Sequence, residues 1–157
     1  MTALTFARVT DQMTAKAWQQ VHNEIIPTDP LNHAQVLGRS KQHLLEVASL
    51  GSAVVGCSTV RPVTDGELVT VIVRVLPAFR RQGLGSAYLV HALAAAQQLD
   101  AVDVQTIVLA SNVDGLALAL SRGFVEKERY TLDGDEIPYI HLVRSVAESS
   151  PFSSTRG

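Results

Sequence analysis

Apolar and polar positions change period several times along the chain. Leu4 to Val9 alternates, which predicts a short strand. Over the next fifteen or so residues Met13, Ala17, Trp18, Val21 and Ile25 recur at helical spacing, with Thr10 or Asp11 placed to cap. Pro27 and Pro30 end that helix, and "LNHAQVLGRSK" predicts a short second one. "HLLEVAS" and "AVVGCSTVRPV" flank "LGS" and read as a hairpin with a glycine turn. After a second turn, "TDGE", the run Leu68 to Leu76 is almost continuously apolar, as in a strand buried on both faces.

The second half alternates helix and strand. A helix is expected from about Leu84 to Leu99, a strand from Gln105 to Ala110, and a helix from Val113 to Arg122 that stops at Gly123. "VEKERYTL" and "EIPYIHLVRS", joined at "DGD", supply two closing strands. The order β, α, α, β, β, β, α, β, α, β, β predicts an α+β domain over residues 1–146. Its core would be a mixed, mostly antiparallel sheet of about seven strands with helices on both faces. The small, polar residues 147–157 read as a disordered tail.

Composition narrows the function. The chain has 157 residues, 46% of them apolar, and a net charge of −2, so no broad basic field invites nucleic acid or anionic lipid. A single cysteine, Cys57, excludes an internal disulfide framework, and no Cys/His cluster has zinc spacing. The first residues lack the pattern of a signal peptide, and no apolar run reaches membrane-spanning length. A cytoplasmic protein with no metal is expected.

Candidate chemistry concentrates where the apolar run ends, in "VLPAFRRQGLGSAYLV". Two arginines and two glycines precede a helix N-terminus, which presents free amide groups and the positive end of a dipole. Read on residues alone, "RRQGLGS" is either a receptor for an anion such as pyrophosphate or a tight corner. A Walker loop would need a lysine after the last glycine, where "GSA" stands, and a dinucleotide fingerprint would need a third glycine where Tyr88 falls.

The same stretch resembles the acyl-CoA motif (R/Q)-x-x-G-x-(G/A) of the GCN5-related N-acetyltransferase (GNAT) superfamily, with Arg80, Gly83 and Gly85 in its places. "NVDGLALALSRGF" is similar to that family's downstream motif through Asn112, Gly123 and Phe124, and the element order matches over roughly residues 4–144. The resemblance implies an enzyme that moves an acetyl group from acetyl-CoA, its co-substrate, to a primary amine on a small molecule or peptide. The low net charge and the lack of a membrane-spanning run leave no nucleic-acid or membrane partner expected, and the resemblance leaves a homodimer open. Val73 and Val75 would contact the pantetheine arm through their backbone. Arg80, Arg81, Gln82, Gly83, Leu84, Gly85 and Ser86 would hold the pyrophosphate, and Asn112 would reach the arm from the last helix.

The family's usual catalytic pair is missing. Its glutamate position holds Val69 and its tyrosine position Ala119, which also admits a non-catalytic acyl-CoA sensor. Glu67 is the remaining candidate base, expected to share the face of Val69, or else a solvated turn residue. Tyr130 and Tyr139 are candidate acids or substrate contacts, and Arg74 a candidate anion or acceptor contact. The segment 25–40, which the resemblance places over the acceptor, carries few charges and argues against a strongly anionic or polycationic acceptor.

Overall fold

A computed structural model describes residues 3–62, 68–99 and 102–145. Among these, strands β1 (Leu4–Arg8), β2 (Leu44–Leu50), β3 (Ala53–Arg61), β4 (Leu68–Val75), β5 (Asp103–Leu109), β6 (Val125–Tyr130) and β7 (Tyr139–Ser145) form one sheet. Its order is β1-β2-β3-β4-β5-β7-β6, and every neighbouring pair is antiparallel except β4 and β5. The helices are α1 (Gln12–Ile25), α2 (His33–Gln42), α3 (Leu84–Gln97) and α4 (Val113–Ser121). The element order and the mixed sheet agree with the sequence reading, while both the "TDGE" turn and the C-terminal tail lie outside the described residues.

The two faces of the sheet bury different helices. On one side Val60, Val69, Val71, Val104, Val108, Ile140 and Leu142 pack with Leu89, Ala92, Leu93 and Ala96 of α3 and with Ala119 of α4. On the other, Trp18 and Val21 of α1 and Val36 of α2 pack on Leu45, Val47 and Cys57. Trp18 is fully buried and donates its indole N–H to the Ser58 carbonyl at 3.0 Å, which ties α1 to β3 without leaving the nitrogen unpaired. Met13, expected on the buried face of α1, is instead 81% exposed. It lies in the first turn, where Asp11 caps the helix reciprocally with Thr14, and the buried positions are Ala15, Trp18, Val21 and His22.

Gly56 is required by its neighbours rather than by its dihedrals. A Cβ there would stand 2.5 Å from the Arg74 carbonyl oxygen and 3.2 Å from the Tyr88 ring. Its absence lets Tyr88 cross β3 and donate to the Glu46 carbonyl at 3.1 Å. On the last strand Arg144 is buried and donates at 2.6 Å to the carbonyl of Arg122, just past the end of α4. A cation there completes the carbonyl end of the helix.

His22 is the buried titratable group of α1, at 3% exposure. Its ring stacks on Trp18, and its Nε2 lies 3.1 Å from the Asp29 carbonyl, which fixes Nε2 as the protonated nitrogen. Burial above all, and then the Arg74 charge, push its pKa down from 6.5 to about 4. The unfolded chain therefore takes up this proton first. The stability contributed is complete above pH 6.5 and is lost as pH falls toward 4, by up to about 3 kcal/mol. Denaturant titrations at pH 7 and pH 4.5 should show a marked loss for the native chain and a smaller loss for His22→Gln; equal losses would remove His22 as the cause.

Candidate functional site

The parallel strands β4 and β5 pair at only three positions, Leu68↔Asp103, Val69↔Val104 and Thr70↔Gln105. Both strands continue, β4 to Val75 and β5 to Leu109, but they part. β4 keeps its other partner β3 as far as Gly56↔Val75. From Val71 to Val75 its backbone on the β5 side is thus left without a strand partner, an edge that an extended ligand can pair with.

The parting opens a cleft of about 360 Å³ on the α3/α4 side. Val73, Val75, Arg80, Arg81, Gly83, Gly85, Ser86 and Asn112 line it, eight of the ten residues expected at the cofactor site. The other two, Gln82 and Leu84, are not among the lining residues; Gln82 is exposed and Leu84 packs beside Tyr88. Deeper in, the cleft narrows to about 30 Å³, bounded by Leu118, Ala119 and Phe124 on one side of the sheet and by Ile26, Arg74, Ile107 and Leu109 on the other. The constriction runs from one face of the sheet toward the other, since Val73 and Arg74 alternate on β4 and both line it.

At the outer end a short 3-10 turn, Pro77–Phe79, leads into the arginine–glycine segment. Arg81 has φ +65° and Gly83 φ +80°, both left-handed, and no side chain caps α3. Two left-handed residues in so short a segment bend the chain sharply before α3, whose free N-terminal amides and dipole face the segment. Arg80 and Arg81 stand at the rim, where Asp114 of α4 takes both guanidinium groups, at 3.7 and 3.5 Å. Arg80 also donates Nε–H to the Val75 carbonyl at 2.8 Å. Asp114 carries no expectation from sequence; only its place in the first turn of α4, across the cleft from the arginines, brings it into the site.

Asn112 is the N-cap of α4, its Oδ1 accepting from the Gly115 amide at 3.0 Å. A Cβ on Gly115 would lie 2.6 Å from Asn112 Nδ2, so this glycine makes room for the capping side chain. Gly85 works similarly between helices, since a Cβ there would meet Leu118 Cδ2 at 3.1 Å.

The catalytic candidates fall differently from expectation. Glu67 lies outside the described residues. Val69, whose face it was expected to share, is fully buried in the α3 core, so a carboxylate at that position would point away from α1 and α2. Ala119 is 4% exposed in the same core beside Phe124, where a tyrosine ring would overpack. The polar groups of the site are on the opposite face. There Tyr130 O–H donates to His141 Nε2 at 3.0 Å, and His141 Nδ1–H to Gln105 Oε1 at 3.0 Å. Gln105 Nε2–H in turn donates to Thr70 Oγ1 at 3.2 Å. The chain of bonds crosses four strands and ends at Thr70 and Gln105, the last paired residues before β4 and β5 part. Burial first holds His141 below its ordinary pKa, with the Arg61 charge adding, while Glu128 opposes. Tyr139 stacks on Tyr130 at 5.8 Å, and burial raises its phenol. Cys57 is buried, which pushes its thiol up to about 12 and makes it a core residue.

A family model described as the Acetyltransferase (GNAT) family matches residues 10–124. No curated protein sequence matches the chain. Among solved structures, the fold is similar to the acetyltransferase yncA of Salmonella typhimurium, crystallised with its cofactor acetyl-CoA. The identity is 15%, with 92% of this chain and 94% of that one covered, and the TM-score is 0.74. The ribosomal-protein-S18-alanine N-acetyltransferase of Escherichia coli matches at 19% identity over 92% and 94% of the two chains, TM-score 0.72. Ard1 of Thermoplasma volcanium matches at 18% over 91% and 97%, TM-score 0.74. No described helix is long and apolar enough to cross a membrane, and no described cluster of His, Cys, Asp or Glu could hold a metal ion.

The Asn112–Gly115 pair generates a direct test. Asn112→Ala removes the cap and should cost about 1 kcal/mol, or a few degrees in Tm. Gly115→Ala should cause a similar loss by displacing the Asn112 side chain, and the double variant should lose little more than either single one. Additive losses by thermal melting would mean that the two residues act independently.

Proposed function

Since the chain belongs to the GNAT acetyltransferase family, we propose that it transfers an acetyl group from acetyl-CoA to a primary amine by direct attack. The observation that carries this reading is the early end of β4–β5 pairing beside an uncapped helix with two left-handed residues. The geometry suits a ligand that is strand-like at one end and anionic at the other. In this reading the pantetheine arm lies along Val73 and Val75 as an added strand, near Asn112. The pyrophosphate sits against the amides from Arg81 to Ser86, taking Arg80 and Arg81 from Asp114. The thioester then lies in the constriction between the two faces.

The acceptor, a small molecule or a peptide amine, approaches from the α1/α2 side, and the setting is the cytoplasm with no nucleic acid or membrane involved. Its nitrogen bonds to the acyl carbon, the C–S bond breaks, the amine gives up one proton, and the thiolate takes one up. With Val69 and Ala119 both in the core, acceleration comes mainly from positioning and from exclusion of water around the thioester. The same burial of the two usual catalytic positions favours one alternative, a non-catalytic acyl-CoA binder.

Calorimetry with acetyl-CoA and thiol release across a panel of amines separate the readings. Acetyl-CoA should bind, and at least one amine should release thiol. Gly83→Val forces a branched residue into a left-handed dihedral and should weaken binding by about tenfold or more, with circular dichroism unchanged. Binding without thiol release on any amine would select the non-catalytic binder, and no binding at all would sink both readings.

A further inference from the structure

Arg39, Arg61 and Arg74 are scattered in sequence, yet the fold gathers them. Arg61 lies opposite Thr70 and Cys57 opposite Arg74 in the β3–β4 pairing. Residues two apart share a face, so Arg61, Thr70, Ile72 and Arg74 all face α1 and α2, away from the Val69–Val71–Val73 core. Arg39, in the last turn of α2, is near enough for its charge to act on both Arg61 and Arg74. All three arginines are half-buried. Arg74 lines the constriction through the sheet and lies against the Cys57 thiol.

Among the described residues none of the three has an ionic partner; the ion pairs there involve Arg80, Arg81, His91 and Arg129. The Nε of Arg61 is buried with no hydrogen-bond partner. Burial, and then the charge of Arg39, lower the pKa of Arg61; burial lowers that of Arg74, opposed by Cys57 and Tyr139 and reinforced by Arg61 and Arg39. Half-buried cations that repel one another and leave a donor unpaired destabilise the chain unless something supplies negative charge. Among the described residues no carboxylate does so: the opposing groups are Tyr130 at Arg61 and Cys57 and Tyr139 at Arg74.

We propose that the acceptor amine carries an oxyanion, a carboxylate or a phosphate, on the same small molecule, and that Arg39, Arg61 and Arg74 hold it beside the β4–β5 split. The inference rests on the acyltransferase reading above. The oxyanion takes no part in bond making; it fixes the amine over the thioester while the C–N bond forms, the C–S bond breaks, the amine loses one proton and the departing thiolate takes one up. Planar guanidinium groups suit such an anion because each offers paired donors. The sparse charge of residues 25–40 pointed away from an anionic acceptor, but two of these cations come from β3 and β4 instead.

The test uses the full chain and matched acceptors: glycine and β-alanine against their amides, the other L-amino acids against theirs, and 2-aminoethyl phosphate against ethanolamine. Thiol release should favour the anionic member of at least one pair by about tenfold or more in kcat/KM, and the favoured pair identifies carboxylate or phosphate. Arg61→Gln should reduce that preference by about tenfold, chiefly through KM, with acetyl-CoA affinity unchanged. Arg39→Gln, on a half-exposed helix turn, is the second variant should Arg61→Gln fold poorly, and it should act in the same direction. Neutral partners equal to anionic ones, or variants that keep the preference, overturn the proposal. If no amine releases thiol, the transfer reading has failed on its own. Calorimetric titration of the same anionic compounds then decides the site: binding lost in Arg61→Gln supports it, and no binding overturns it.

Discussion

The structure depends on where β4 and β5 stop pairing. A parallel pair inside a sheet is ordinarily continuous, because each unpaired backbone group buried away from water costs about as much as a lost hydrogen bond. Here the pairing ends at Thr70↔Gln105 while both strands run on. The gap is tolerable because each side has its own support. β3 holds β4 to Val75, β7 holds β5 to Leu109, and Leu118 and Ile26 close on the gap from opposite faces. The sheet thus behaves as two halves hinged at three residue pairs, with a passage between them.

Chemistry divides along that passage. The α3/α4 side offers backbone, helix-end amides and two rim arginines already engaged by Asp114. The α1/α2 side offers polar side chains, the Tyr130–His141–Gln105–Thr70 chain and three arginines that have no ionic partner among the described residues. Because strand residues alternate between faces, neighbours such as Val73 and Arg74 serve different compartments.

Most of the fold was legible because its signals are local. Asp11 and Asn112 announce helix starts, Gly51 and Gly123 do adopt left-handed dihedrals at turns, and the apolar run of β4 marks a central strand. The candidate cleft on the α3/α4 side was legible for the same reason, since Arg80, Gly83 and Gly85 are close in sequence and all three line it. The polar α1/α2 face was not. Register between distant strands sets it, and nothing local says that the Gln105 side chain reaches His141 or that Arg61 sits opposite Thr70. Val69 and Ala119 show the reverse limit: counting from a motif finds a position but not the face it points to.

Arg81 has a consequence for engineering this chain. It holds a left-handed dihedral that costs a side-chain-bearing residue about 1 kcal/mol. Its side chain is 84% exposed, so its contact with Asp114 recovers little of that. Selection for heat resistance alone would drift toward glycine or asparagine here and would discard a cation from the cleft rim while the melting temperature rose. Stabilised libraries of this protein are best screened for ligand retention at this codon.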